Sequence, residues 1–99
     1  MEAFFEFISV KSLKLPKNIT YIGKFAFGSW KSLTNLILPK NLKVIDTGAF
    51  SRCYSFENVE LPDLLERIEV QAFAYCEKLK SIKIPKSVKF IGQDAFFCV

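Results

Sequence analysis

Histidine is absent from the 99-residue chain, methionine and tryptophan occur once each, and glycine and proline number four apiece. Without histidine there is no Ser-His-Asp or Cys-His nucleophilic centre and no histidine-based metal site. The three cysteines are an odd number and do not sit at the spacing of a CxxC knuckle, so neither a paired disulfide framework nor a thiolate zinc site is indicated. The phosphate-cradling patterns G-x-x-x-x-G-K-[ST] and G-x-G-x-x-G do not occur. No apolar run approaches the roughly 18 residues that mark a membrane-spanning helix. The opening MEAFFEFISV carries acidic residues where a secretory signal has basic ones, and its apolar stretch is short and interrupted. No linker, low-complexity segment or second domain is visible. A net charge of +4 is mild; it serves solubility as readily as contact with an anionic partner.

What is present is a repeat. All four prolines, Pro16, Pro39, Pro62 and Pro85, lie 23 residues apart. Ala26-Phe27, Ala49-Phe50, Ala72-Phe73 and Ala95-Phe96 keep the same period, and Ala3-Phe4 extends it backwards. Ile22, Ile45, Ile68 and Ile91 keep it too. Further apolar columns are Val10, Leu33, Phe56 and Leu79; Leu13, Leu36, Val59 and Ile82; Leu15, Leu38, Leu61 and Ile84; and Ile19, Leu42, Leu65 and Val88. A fixed period of this length marks a solenoid, in which each coil buries its neighbour's apolar face. The units run 8–30, 31–53, 54–76 and 77–99, with a partial unit at 1–7, and together form one array over 1–99. About three units are the usual minimum for such a stack.

The unit reads L-x-x-L-x-L-P-x-x-L-x-x-I-x-x-x-A-F-x-x-C. Its last full copy shows Ile84-Pro85 and then Ile91-Gly92-Gln93-Asp94-Ala95-Phe96. This resembles the BspA-like (bacterial surface protein A-like) subfamily of leucine-rich repeats over nearly the whole chain. Two columns depart from it. Asp46 and Glu69 stand where the pattern has glycine, and the cysteine column reads Phe7, Trp30, Cys53, Cys76 and Val99, with Cys98 one place early. The resemblance implies a non-catalytic module for protein recognition or cell-surface adhesion, with no cofactor. It implies a cell-surface or extracellular location. The lack of an evident signal or anchor keeps a cytoplasmic scaffold or effector as the alternative.

The expected fold is a right-handed leucine-rich-repeat solenoid of short parallel β-strands, one per repeat, joined by turns or short 3₁₀ segments. In each unit alternating residues before the proline form a strand with one face buried, and the proline ends its ladder. Ser12 to Leu15, Asn35 to Leu38, Asn58 to Leu61 and Ser81 to Ile84 would make one four-stranded sheet. Gly23 is expected to give the first corner its backbone freedom, with Ala26 closing the corner and Phe27 filling it. Five phenylalanines in one column, Phe4, Phe27, Phe50, Phe73 and Phe96, read as core, as does Trp30. Cys53 and Cys76 are expected to be buried free thiols, because stacked equivalents point in parallel directions and suit a disulfide poorly. Both ends of the array would leave strand edges and apolar surface open. Either the array continues in a longer protein or its ends associate with each other.

The candidate partner-binding residues face outward from the strands. One column is Ser12, Asn35, Asn58 and Ser81; beside it run Lys14, Ile37, Glu60 and Lys83. On an extended repeat array this sheet is the usual ligand face. A second stripe, Lys17, Lys40 and Lys86 with Lys43 and Lys89, follows the prolines along one rim. Such a stripe suits an anionic glycan or a phosphate backbone. Asp63 and Glu66 interrupt it and no aromatic series accompanies it, which argues against nucleic acid. Asp46, Glu57, Glu60, Asp63, Glu66 and Glu69 read as a solvated face, since Arg52 and Arg67 alternate with them and no calcium-loop motif is present. A protein partner is therefore expected, with no membrane insertion.

Overall fold

The computed structural model describes residues 12–80 and 82–97. The Ala3-Phe4 corner, Phe5, Phe7, Ser81, Cys98 and Val99 lie outside them. Seven short strands are joined by turns: β1 (Ser12–Lys14), β2 (Tyr21–Ile22), β3 (Asn35–Ile37), β4 (Val44–Ile45), β5 (Asn58–Val59), β6 (Arg67–Ile68) and β7 (Phe90–Ile91). No helix occurs among the described residues. Every strand pair is parallel and keeps the 23-residue register, as in Ser12 with Asn35 and Asn35 with Asn58. This is a leucine-rich-repeat solenoid.

Two features of the ladders differ from the sequence reading. The strands form not one sheet but two, a three-stranded sheet β1-β3-β5 and a four-stranded sheet β2-β4-β6-β7. The second sheet is built from the pair ending in each inward isoleucine, where Ile22 and Ile45 pair in register, then Ile45 with Ile68 and Ile68 with Ile91. A two-residue strand with one inward side chain gives no alternation to read. The second difference is the strand expected at Ser81 to Ile84. Ser81 lies outside the described residues, and 82–84 form no strand. Burial is what flattens a strand on its core, and it fades there. Leu36 is 5% exposed while Val59 and Ile82 are half-buried, and Ile84 is 36% exposed against 6% for Leu61.

The Ala-Phe corner is the tightest part of each coil, and two left-handed residues bracket it. Phe25, Gly48, Gln71 and Asp94 precede the alanine with φ of 55°, 63°, 58° and 58°; Ser29, Arg52 and Tyr75 follow two residues after the phenylalanine with φ of 64°, 64° and 63°. Gly23 is not among the residues with positive φ, so the freedom expected of it is exercised two residues later. Between the brackets, alternate amides reach the next coil. Phe25, Phe27 and Ser29 donate to the carbonyls of Thr47, Ala49 and Ser51 at 3.0, 2.8 and 2.8 Å. The pattern recurs from Gly48, Phe50 and Arg52 to Val70, Ala72 and Ala74, and from Gln71, Phe73 and Tyr75 to Gln93, Ala95 and Phe97. The amide between each such pair turns back instead, as Ala26 does to the Gly23 carbonyl.

Left-handed backbone costs an ordinary side chain about 1 kcal/mol and glycine almost nothing. Gln71→Gly is therefore expected to raise stability by up to about 1 kcal/mol, less the added freedom of the unfolded chain. A urea midpoint below that of the parent would contradict this reading of the corner.

The interior is a set of unbroken columns. Phe27, Phe50, Phe73 and Phe96 stack with ring centroids 5.4, 5.2 and 5.5 Å apart and planes within 13° of parallel. Phe56 lies against both Phe50 and Phe73. Trp30 packs edge-on to Phe27 at 5.1 Å and is 1% exposed, so it belongs to the core. Ala26, Ala49, Ala72 and Ala95 are all buried, which lets the corner backbones approach. Cys53 and Cys76 are free and buried, as expected. Each thiol donates to a corner carbonyl in the preceding coil, Cys53 to Phe27 at 3.2 Å and Cys76 to Phe50 at 3.1 Å. A small side chain with a weak donor thereby pairs with that acceptor inside the core.

Candidate interaction surface

The strand before each proline carries inward leucines, so its other side chains must face solvent. Asn35 and Ile37 flank buried Leu36 on β3, and Ile37 is 59% exposed. Asn58, Glu60, Lys14 and Lys83 are exposed as well. Ser12 sits in β1, in register with Asn35, and Lys14 is in register with Ile37. Ser81 lies outside the described residues.

Five of these positions, Asn35, Ile37, Asn58, Glu60 and Lys83, line one open depression of about 1330 Å³. Lys14 is not among its described lining residues. The depression continues past the prolines onto Lys40, Asn41, Asp63 and Leu64. Sheet and rim, two separate candidates in the sequence, thus form one surface. Leu64 was missed. It is 50% exposed, in a column otherwise filled by Asn18, Asn41 and Ser87. An apolar residue in a polar column is the signal that would have found it. The surface combines two exposed aliphatic side chains, two amides in register, and carboxylates between lysines. It offers apolar contact and hydrogen bonds.

The other ladder carries Tyr21, Val44, Arg67 and Phe90 outward. The Arg67 guanidinium lies 4.3 Å from the Phe90 ring centroid and its Nε is 2.6 Å from Glu69 Oε2. The Tyr21 hydroxyl donates to Asp46 Oδ2 across two coils, while the Thr47 amide donates to Asp46 Oδ1 at 2.6 Å. The Tyr21 hydrogen bond holds the Asp46 carboxyl below the usual carboxylate range, aided by Thr47 and Lys24. The same bond pushes the Tyr21 phenol up. Stabilisation from the lowered carboxyl is present above its ordinary pKa and is lost as the pH falls through the lowered one. Stabilisation from the phenol runs the other way: it is present below the ordinary phenol pKa and is lost as the pH rises through the raised one. Tyr21→Phe should move the Asp46 titration, followed by carboxyl NMR, upward towards the ordinary value. An unmoved titration would dissociate the two groups.

The six acidic residues read as a solvated face do not converge. Among the described residues no group of three or more cysteine, aspartate or glutamate side chains is placed to hold a metal ion. The neighbouring Cys76 thiol and then burial push the Cys53 thiol up, the opposite of what a nucleophilic thiol needs.

The BspA type leucine-rich repeat region (6 copies) matches residues 1–99. Among solved structures, the chain is similar to a leucine-rich repeat protein from Bacteroides ovatus, with 37% identity and a TM-score of 0.88 over 96% of this chain and 24% of that one. It is similar to the leucine-rich repeat protein of T. pallidum (TpLRR), with 34% identity and a TM-score of 0.94 over 98% of this chain and 46% of that one. A leucine-rich repeat protein from Eubacterium ventriosum shares 28% identity and a TM-score of 0.64, over 90% of this chain and 30% of that one. The chain thus spans less than half the length of each relative. No curated protein matches it. The period, the bracketed Ala-Phe corners and these matches agree: the chain belongs to the BspA-type leucine-rich-repeat family.

Proposed function

We propose that the chain is a non-catalytic module that binds a protein partner on the depression shared by the β1-β3-β5 sheet and the post-proline rim. The observation that supports this reading most is the exposure of Ile37 and Leu64 within that depression, beside Asn35 and Asn58. Exposed aliphatic side chains ringed by polar ones match the apolar centre and polar rim of protein interfaces. Membership of the BspA-type family favours recognition or adhesion at a cell surface as the setting. Lys14, Lys40, Lys43 and Lys83 supply charge at the margin, where it governs encounter more than residence.

The test is affinity capture by the immobilised chain from bacterial and host-matrix protein pools, with partners identified by mass spectrometry. Ile37→Glu with Leu64→Glu should reduce retention of the captured partner by about tenfold or more. Charge reversal at Lys40 and Lys43 should slow association and make it less salt-sensitive. Lys31→Glu, away from the depression, should leave retention unchanged. Full retention by the Ile37→Glu, Leu64→Glu variant would rule this face out.

A further inference from the structure

Arg52 and Arg67 are the chain's arginines, and the solenoid holds them alike up to one point. Each guanidinium lies over the aromatic ring that stands one period later. Arg52 is 4.7 Å from the Tyr75 centroid and Arg67 is 4.3 Å from that of Phe90. The residue two places on then differs. For Arg67 it is Glu69, whose Oε2 lies 2.6 Å from the Arg67 Nε. For Arg52 it is Tyr54, which sets a phenol beside the guanidinium where Arg67 has a carboxylate. Arg52 makes no ion pair among the described residues.

The surroundings of Arg52 are fixed. Its corner is interior to the array: the Ser29 amide reaches the Ser51 carbonyl from the preceding coil, and the Tyr75 amide reaches the Phe97 carbonyl in the following one, both at 2.8 Å. The Arg52 amide itself donates to the Ala74 carbonyl at 2.8 Å. Tyr75 is half-buried and meets the Phe97 ring edge-on at 5.5 Å. Tyr54 is half-buried and Arg52 exposed. Stacking occupies a face of the guanidinium and leaves the N–H donors along its rim directed outward in their plane. A cation so placed has lost much of its freedom before any ligand arrives.

We propose that Arg52, stacked on Tyr75 and flanked by Tyr54, binds the carboxylate of an aspartate or glutamate side chain on a protein partner. That carboxylate would take the place beside Arg52 that Glu69 holds beside Arg67. The planar fork matches a carboxylate in two parallel hydrogen bonds. A lone guanidinium balances its single charge, whereas a phosphoryl group carries nearly two and is read by arginine clusters. Arginine and tyrosine are also the residue types that anchor protein interfaces. None of Arg52, Tyr54 and Tyr75 lines the depression described above, so the proposal does not depend on it.

The test follows the arginine Nε–Hε signals of the isotope-labelled chain by NMR, with Arg67 as the internal control. A hexaglutamate peptide should shift the Arg52 signal saturably and leave that of Arg67 in place; a hexaglutamine peptide should move neither. Tyr54→Glu puts a carboxylate where Glu69 stands relative to Arg67, and should abolish the Arg52 shift. Arg52→Lys keeps the charge and loses the fork. Followed on the Tyr75 amide, it should weaken hexaglutamate binding by about tenfold. Circular dichroism checks that both variants keep the parent fold. An unmoved Arg52 signal, equal shifts of both arginines, or undiminished binding by Arg52→Lys overturns the proposal. A larger Arg52 response to methyl phosphate than to acetate at equal concentration would make the site one for phosphate and overturn it as well.

Discussion

Phe50→Ala is expected to lower the unfolding free energy by about 3–5 kcal/mol. Its ring is 0% exposed and lies between Phe27 and Phe73, at 5.4 and 5.2 Å, with Phe56 at 5.8 Å. Removing it takes away apolar burial and leaves a gap in a column that the flanking rings cannot close, because each is anchored to its own coil by backbone bonds. A chain of this size holds only about 5–15 kcal/mol against unfolding, so the loss is a large part of the total. Phe96→Ala removes the same atoms from a half-buried position that is stacked on Phe73 alone among the described residues. It should cost about 1–2 kcal/mol. Urea unfolding followed by circular dichroism compares the two; equal losses would mean that the column is not the source of cohesion.

Ala49→Leu is the second large effect, expected at about 1–3 kcal/mol or more. Ala49 is 0% exposed, its carbonyl accepts the Phe27 amide, and its own amide donates to Asp46 at 3.1 Å. Ala26 and Ala72 occupy the same place in the neighbouring coils. A longer side chain would have to push these corners apart, and the hydrogen bonds at 2.8 Å on either side resist that. Ala95→Leu, at a corner bonded to a described neighbour on one side only, should be tolerated better. If the thermal midpoint falls as far for Ala95→Leu as for Ala49→Leu, the corners are not held as described.

Most of this architecture was legible because the solenoid writes its contacts at one constant separation. Once the prolines and Ala-Phe pairs fixed the period, every inward column followed, down to Trp30 in the place of a cysteine. The second sheet was not legible, since Tyr21–Ile22 and its successors are too short to show alternation. Nor were the left-handed positions. Phe25, Gln71 and Asp94 occupy a conformation that glycine favours, and in that column only Gly48 advertises it. The hydrogen bonds from corner to corner hold these residues there against their own preference. The outward residues of the first sheet could be named from parity alone. That they merge with Lys40, Asp63 and Leu64 into one depression depends on how sharply the chain bends at the proline, which spacing does not encode.

The corner bonds also have an electrical consequence. At the corners, from Phe25 through Tyr75, the crossing amides point from an earlier coil to a later one, while those of Lys43, Asp46, Glu66 and Glu69 point back. Peptide dipoles so aligned add, as they do along a helix. The corner row thus has its positive end toward the fourth unit, where the exposed carboxylate of Asp94 stands.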